Sequence, residues 1–177
     1  MHPAIDPRVA QLDLSYVANR LIEEGLSAEE AAEAVDQHRK LLTIALANPG
    51  VAVAPSHFMD KAIHAHVSHT RLWREHCAIL TDGGHIDHDP TIKVGMVELA
   101  QAWEVTRAEM NARFGMELPP VDAASCVLET SAASCVLKTA PASCVLETSA
   151  ASCVLKTAPA SCVVMAPASC VLKAAHA

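Results

Sequence analysis

Residues 27–47 read SAEEAAEAVDQHRKLLTIALA, and this stretch decides the fold class. Ser27 and Glu30 stand three positions apart, which is the spacing of a capping box at the start of a helix. Apolar residues then recur every three or four positions, and they predict a buried helical face formed by Val35, Leu42, Ala45 and Leu46. Asn48-Pro49-Gly50 ends this pattern. We therefore expect a helix over about 28–47.

Similar patterns lie on both sides of this helix. Residues 12–24 place Leu14, Val17 and Leu21 on one face and end at Gly25. Ser56 can cap another helix, with an apolar stripe that runs through Met59, Ile63, His66, Thr70, Trp73 and Cys77. Asp89-Pro90 predicts the start of a last helix, which buries Met96, Leu99, Trp103, Met110 and Phe114. No run alternates like a strand, so we expect residues 1–120 to form an all-α domain of four to five helices.

Composition separates this domain from the rest of the chain. All aromatic residues and all glycines lie before residue 120, while six of the seven cysteines lie after it. The formal charge of −7 also belongs to the front part. No basic stripe exists to neutralise phosphates, so a nucleic-acid partner is not expected.

No apolar run approaches the roughly 20 residues that span a bilayer, and no signal peptide is evident, so a cytoplasmic location without a membrane partner is expected.

The histidines are concentrated in one stretch of the helical domain. Residues 55–90 contain seven of the ten histidines, together with Cys77. Imidazole and thiolate together favour zinc or another borderline metal. On one straight helix, however, His64 and His66 would point about 200° apart, and a site shared with Cys77 requires a break near residues 68–70. The alternative is that these histidines are ordinary core and surface groups.

The same stretch carries an ordered motif. Pro-Ser is followed by a hydrophobic residue and Asp, then by His-x-His, Thr, an aromatic residue, Cys, and a closing His-x-Pro. The positions are Pro55, Ser56, Met59, Asp60, His64, His66, Thr70, Trp73, Cys77, His88 and Pro90. This order resembles the helical region of glycine-rich-domain-like proteins over about residues 15–90, although Ile63 replaces a Trp and Asp87-His88 replaces a histidine pair. The resemblance implies a helical fold rather than an activity. If its residues form a metal site, the implied ligands are His64, His66, Cys77 and His88, with Asp60 or His85 in support.

The last third of the chain is a nine-residue repeat. ASCVLETSA at 124–132 and ASCVLKTAP at 133–141 recur unchanged at 142–150 and 151–159, and two degenerate units follow. Each unit contains one cysteine, preceded by Ala-Ser and followed by Val, at Cys126, Cys135, Cys144, Cys153, Cys162 and Cys170. All units share Ala-Ser-Cys-Val, so each repeat adds one cysteine in the same local sequence.

Neither regular structure explains the repeat well. A parallel solenoid would stack the cysteines, but its coils would lack turn glycines and asparagines and an aromatic axis. In a helix, nine residues make 2.5 turns, which places successive cysteines on opposite faces, and prolines interrupt the pattern. We therefore expect residues 121–177 to be a largely disordered tail.

A folded acidic domain with a tail of identical cysteine units has the organisation of a precursor of a ribosomally synthesised and post-translationally modified peptide. In this interpretation, residues 1–120 are a leader domain that recruits enzymes, and the tail is the core region. The thiol is nucleophilic and easily oxidised, so an iron-dependent oxidase or a cyclodehydratase would modify it, and a protease would release the product. An enzyme that reads only local sequence should treat all six tail cysteines alike.

Two alternatives remain open. One is a cytosolic metal-binding protein, in which the tail thiols and the histidine-rich domain hold copper or zinc. Against it, metal sites usually group their thiols more closely than one in nine residues. The other is repeat expansion without function. We do not expect the chain to be an enzyme, because no phosphate loop, nucleophile elbow or paired-carboxylate pocket is recognisable.

Overall fold

The computed structural model describes residues 5–131 and, beyond them, the backbone of five short strands between residues 134 and 172. Six helices lie in this described part of the chain: α1 Pro7–Ala10, α2 Ser15–Glu23, α3 Ala28–Ala47, α4 His57–Ser68, α5 Thr70–Leu80 and α6 Val97–Phe114. The prediction of a mainly helical domain is confirmed. None of the helices described is long and apolar enough to cross a bilayer.

Three helix ends with a local sequence signal, at Ser27, Ser56 and Gly115, lie where they are predicted. The Ser27 hydroxyl accepts the backbone N–H of Glu30 at 3.2 Å, and the Glu30 carboxylate accepts the N–H of Ser27 at 2.8 Å, so the capping box is complete. Ser56 caps α4 by accepting the N–H of Met59 at 3.1 Å. Gly115 ends α6 with φ at 64°, a left-handed conformation that glycine adopts without steric cost.

Asp89-Pro90 does not begin a helix, contrary to the prediction. His85–Asp89 is strand β1, and α6 begins only at Val97. Asp89 instead closes a turn, because its Oδ1 accepts the N–H and the hydroxyl of Thr91 at 2.8 and 2.6 Å. Strand β1 pairs with β2, Val127–Ser131, in a two-stranded sheet. The expectation that the domain has no strand is wrong. β1 forms because it pairs with β2, which lies far along the chain, and it therefore needs no alternating apolar pattern of its own.

Helix α3 lies at the centre of the domain and packs against α1, α2, α4 and α6. Of the apolar face that the sequence predicted, Leu42 and Ala45 are buried, and Val35 and Leu46 are partly buried against the core. Around them the core is formed by the fully buried side chains of Leu14, Leu21, Leu41, Leu42, Ile44, Met59, Ile63, Leu80, Ile86, Met110 and Leu128. Trp103, Leu99 and Val127 belong to a second, smaller cluster. Both clusters contain a residue of β2, so the first repeat is part of the core.

The compact helical unit extends to Thr130, ten residues beyond the predicted boundary at 120. The reason is that β2 and the residues just before it pack on the helices. Antiparallel bridges join Leu128 to Val53 and Ala123 to Ser56. The first repeat therefore belongs to the folded domain, and the tail proper starts at Ser131.

The second unit contains five strands: β3 Ser134–Leu137, β4 Cys144–Glu147, β5 Ser152–Leu155, β6 Cys162–Met165 and β7 Cys170–Leu172. Strands β3, β5 and β7 pair in parallel in one sheet, and β4 pairs in parallel with β6 in another. From the second repeat on, each described strand is thus paired in register with the strand of the repeat two units away. The sequence predicted a largely disordered tail. The residues between these strands lie outside the described part of the chain.

Candidate functional site

The first repeat unit lies against the segment that joins α3 to α4. Val53 and Leu128 exchange two backbone hydrogen bonds, of 2.9 and 2.8 Å. Closer to α4, the N–H of Ala124 donates to the carbonyl of Pro55 at 2.9 Å. Backbone groups of nearly every residue type can form such bonds. These contacts therefore hold the unit in place, but they do not select its sequence.

The side-chain contacts of the first unit, in contrast, depend on its amino-acid sequence. Its shared apolar positions are enclosed, with exposed fractions of 1% at Ala124, 2% at Cys126, 7% at Val127 and 0% at Leu128. Glu129 is exposed, and this is the position at which the units alternate between Glu and Lys. The hydroxyl of Thr130 donates to the carbonyl of Ala45 at 3.0 Å. The domain thus encloses three residues of the shared Ala-Ser-Cys-Val, leaves Ser125 half-buried, and leaves the variable charge in solvent.

Three potential metal ligands from distant parts of the chain meet at Cys126. Helix α4 supplies Asp60, strand β1 supplies His88, and one ligand atom of each residue lies within 4.8 Å of the other two. The Cys126 thiol donates to Asp60 Oδ1 at 3.1 Å. His64, one helical turn after Asp60, flanks the group: its Nε2 lies 3.5 Å from Asp60 Oδ1. Its ring also meets that of His88 edge-on, with centroids 5.3 Å apart.

Burial determines the protonation state of this group at neutral pH. It raises the pKa of the Cys126 thiol, and the hydrogen bond to Asp60 raises it further, so the thiol keeps its proton. Burial also lowers the pKa of His88, and the nearby His64 adds to that effect, so this imidazole is neutral. The Nε2 atom of His88 is buried and has no hydrogen-bond partner. The site therefore combines a neutral imidazole, a thiol and a carboxyl group, a donor set suited to a borderline cation.

A second group of histidines lies inside the helical domain. His66 Nδ1 is 2.8 Å from His38 Nε2, and His66 Nε2 is 3.0 Å from His76 Nδ1, so the three imidazoles form a hydrogen-bonded row. The rings of Trp73 and Tyr16 pack edge-on against His66, with centroids 4.7 and 5.9 Å away. We call His38, His66 and His76 the histidine row. Because both nitrogens of His66 already have partners, its bonding is satisfied within the protein.

The histidine row is neutral at physiological pH. Burial is the largest cause of the lowered pKa of His38, of His66 and of His76. The nearby charge of Arg39 lowers all three further. The row therefore stabilises the domain only while its imidazoles remain uncharged.

The four ligands implied by the family resemblance do not come together. His64 and His88 lie beside Asp60 and Cys126, whereas His66 belongs to the histidine row. The chain does break between α4 and α5, but His64 and His66 are two residues apart on one helix and face different sides of it. Cys77 is buried, and burial raises the pKa of its thiol to about 11.

Sequence reasoning missed three members of these groups, His38, His76 and the role of Cys126 beside Asp60. His38 had a usable signal, because it continues the buried stripe of α3 four residues after Ala34. Cys126 had none, since only the long-range pairing with Val53 and β1 brings it to Asp60. The other five tail cysteines, Cys135, Cys144, Cys153, Cys162 and Cys170, lie on described strands, but their side chains fall outside the described residues.

Comparison with known protein families, with curated proteins and with solved structures finds no match for this chain. The resemblance to glycine-rich-domain-like proteins thus stays a prediction. Any function must be argued from the repeat, the helical domain and the residues that join them.

Proposed function

We propose that this chain is the precursor of a ribosomally synthesised and post-translationally modified peptide. Its folded N-terminal domain recruits the modifying enzymes, and its Ala-Ser-Cys-Val units are modified at cysteine. The observation that carries the proposal is the packing of the first unit, in which the shared Ala124, Cys126 and Val127 are enclosed while the variable Glu129 is exposed. Because the folded domain makes specific contacts with a repeat unit, we infer a division of roles. The domain recruits the modifying enzymes, and the tail provides further copies of the unit to be modified.

The partners follow from the chemistry of the repeated residue. A cyclodehydratase would add the cysteine thiol to the carbonyl carbon of the preceding serine, with loss of one water per unit. An iron-dependent oxidase would instead oxidise the cysteine. A protease would then separate the product from the helical domain. We place these steps in the cytoplasm, where thiols stay reduced, with export of the product afterwards. The chain itself has no catalytic role in this proposal.

The cysteines should not all be equally available. The local sequence around them is the same, but Cys126 is 2% exposed and hydrogen-bonded to Asp60. We therefore expect an enzyme to modify Cys126 last or not at all, in contrast to the equal treatment that local sequence alone predicts. Cys77, which is also buried, should stay unmodified.

The test is the mass of the chain isolated from its native host, compared with the chain produced in a host that lacks the neighbouring genes. Alternation of Glu and Lys allows the units to be separated by cleavage after both residues. The digest yields four peptides that each hold one repeat cysteine: 118–129, 130–138, 139–147 and 148–156. Cys77 lies in a separate peptide, 76–93. We expect the same mass change on the last three, and a smaller modified fraction on 118–129.

Two results would contradict the proposal. One is a native chain of unmodified mass in which every cysteine titrates as a free thiol after unfolding. The other is a mass change confined to the helical domain, before residue 118. The heterologous chain serves as the control for chemical oxidation during isolation, since adventitious oxidation would appear in both samples.

A second function, metal handling by the tail thiols together with the histidine-rich domain, is favoured by one observation. Asp60, His88 and Cys126 form a compact donor set, and Cys126 is itself a repeat cysteine. Copper(I) or zinc is the cargo that such donors take. The native mass distinguishes the two functions: a metal-handling chain keeps all thiols and releases its metal on acid denaturation, whereas a modified precursor has fewer free thiols.

A further inference from the structure

We propose that Asp60, His88 and Cys126 bind one zinc ion in the folded domain. This site differs from the one that the sequence motif implied, and it holds whether or not the tail is modified. Its ligands come from α4, from β1 and from the segment just before β2, so the ion would link the first repeat to the helices.

The distances suit a tetrahedral ion. Zinc binds nitrogen and oxygen at about 2.0–2.2 Å and sulfur at about 2.3 Å, which places neighbouring ligand atoms roughly 3.3–3.8 Å apart. The thiol sulfur and Asp60 Oδ1 are already 3.1 Å apart, and all three ligand atoms lie within 4.8 Å of one another. The longest of these distances would have to shorten by up to about one ångström to reach the tetrahedral range.

The unbound arrangement leaves one polar atom unexplained. Nε2 of His88 is buried and lacks a hydrogen-bond partner, and such an atom destabilises the folded state unless something satisfies it. A cation bound by this imidazole would give the ring nitrogen a partner. It would also neutralise the Asp60 carboxylate and the thiolate that forms when Cys126 gives its proton to solvent. These two observations, the close donor set and the unsatisfied imidazole, point independently to a bound cation.

His64 flanks the three ligands. Its side chain is exposed, and its ring meets that of His88 edge-on, with the centroids 5.3 Å apart. Three protein ligands leave the fourth position of a zinc ion for water or another ligand. The proposal concerns binding at the three inner residues, and His64 is not required for it.

The experiment must separate this site from the tail thiols. We would use the full-length chain with Cys135, Cys144, Cys153, Cys162 and Cys170 replaced by serine, which retains Cys77 and Cys126. Cobalt(II) is the first probe, because a cobalt–thiolate bond produces a charge-transfer absorption band. Zinc is then titrated against the cobalt form. We expect one equivalent of cobalt with a thiolate band, and displacement of that cobalt by zinc.

Matched variants decide which residues bind. In the same background, Cys126→Ser should abolish the thiolate band, whereas Cys77→Ser should retain it. His88→Ala should weaken zinc binding by more than tenfold, since even residues that only orient a ligand typically change affinity 10–100-fold. His57→Ala, on the exposed first turn of α4, should not change it.

Circular dichroism of each variant verifies that it is folded, and Cys126→Ser is chosen because serine keeps the hydrogen bond to Asp60. A parent that is folded yet binds less than a tenth of an equivalent of cobalt or zinc would overturn the proposal. So would a thiolate band that survives in Cys126→Ser. Neither result depends on whether the native tail is modified.

Discussion

Leu128→Ala tests whether the first repeat is a structural part of the helical domain. Leu128 is the fifth residue of its repeat unit, and it is fully buried in the main core cluster. Its backbone is also bonded to Val53 in both directions. Truncation of this side chain removes three carbon atoms from a closed environment and leaves a cavity that the neighbouring helices can fill only in part.

The expected cost follows from that burial. Leucine-to-alanine changes at fully buried sites destabilise a protein by about 2–5 kcal/mol. For a folded unit of this size, one kcal/mol corresponds to about 3–4 °C in Tm, so the variant should melt on the order of 10 °C lower. Because Cys126 lies two residues away on the same segment, its thiol should also become more accessible to alkylation in the variant.

The matched control is Leu146→Ala, which makes the same change at the same position of the unchanged copy at 142–150. Thermal unfolding of the full chain, followed by circular dichroism at the helical wavelength, compares the two variants with the parent. We expect Leu128→Ala to lower the helical melting temperature and Leu146→Ala to leave it within about 1 °C. Equal effects from the two variants, or no effect from Leu128→Ala, would refute the assignment of the first repeat to the core.

Three further predictions concern the histidine row and the cysteines. Burial lowers the pKa of His38 and His66 in the folded state, so below about pH 6.5 the unfolded chain binds more protons than the folded chain. The free energy of unfolding should therefore fall, for each of these two histidines, by roughly 1.4 kcal/mol per unit of decreasing pH. Urea unfolding from pH 7 to 5 measures this slope, and His38→Leu should reduce it. Cys77 and Cys126 should react with iodoacetamide at least about 100-fold more slowly in the native chain than in denaturant, as timed alkylation and mass mapping would show. Deletion of 142–159, co-expressed with the modifying enzymes, should remove two modified units and leave the others modified; loss of all modification would instead indicate one cooperative tail structure.

The helices could be predicted because their signals are local. In the capping box of Ser27 and Glu30, each side chain binds a backbone N–H three residues away. The Ser56 side chain binds the N–H of Met59 over the same separation. Gly115 acts in the same way, since its left-handed conformation is a property of a single residue. Such signals do not depend on the rest of the fold, so the sequence alone identifies them.

The sheet and the candidate metal site could not be predicted, because their partners are far apart in sequence. Strand β1 reads His-Ile-Asp-His-Asp, with only Ile86 buried, and carries no alternating apolar pattern. Its partner is β2, about 40 residues later, within a repeat that looks the same as the tail units. Nothing local distinguishes Cys126 from Cys144, and only packing on Val53 and Asp60 makes the difference.

The fifth, degenerate unit can be compared with the contacts that the domain makes to the first unit. Exact duplication copies every position, so the identity of 142–150 with the first unit carries no information about contacts. The fifth unit has diverged: it keeps Ala-Ser-Cys-Val but has Val164 where the first unit has Leu128, and Met165 where it has Glu129. In the first unit, the enclosed residues include the Ala, Cys and Val of the retained part, and Glu129 is exposed. The two sets overlap at Ala124, Cys126 and Val127, and the altered charge lies at a position that is exposed in the first unit. They differ at three other positions: Leu128 and Thr130 are enclosed although the fifth unit has Val164 and Ala166 there, and Ser125 is retained although it is only half-buried. The contacts of the first unit therefore account for only part of the retained Ala-Ser-Cys-Val, and the cysteine is the retained residue that they enclose together with a hydrogen bond to Asp60.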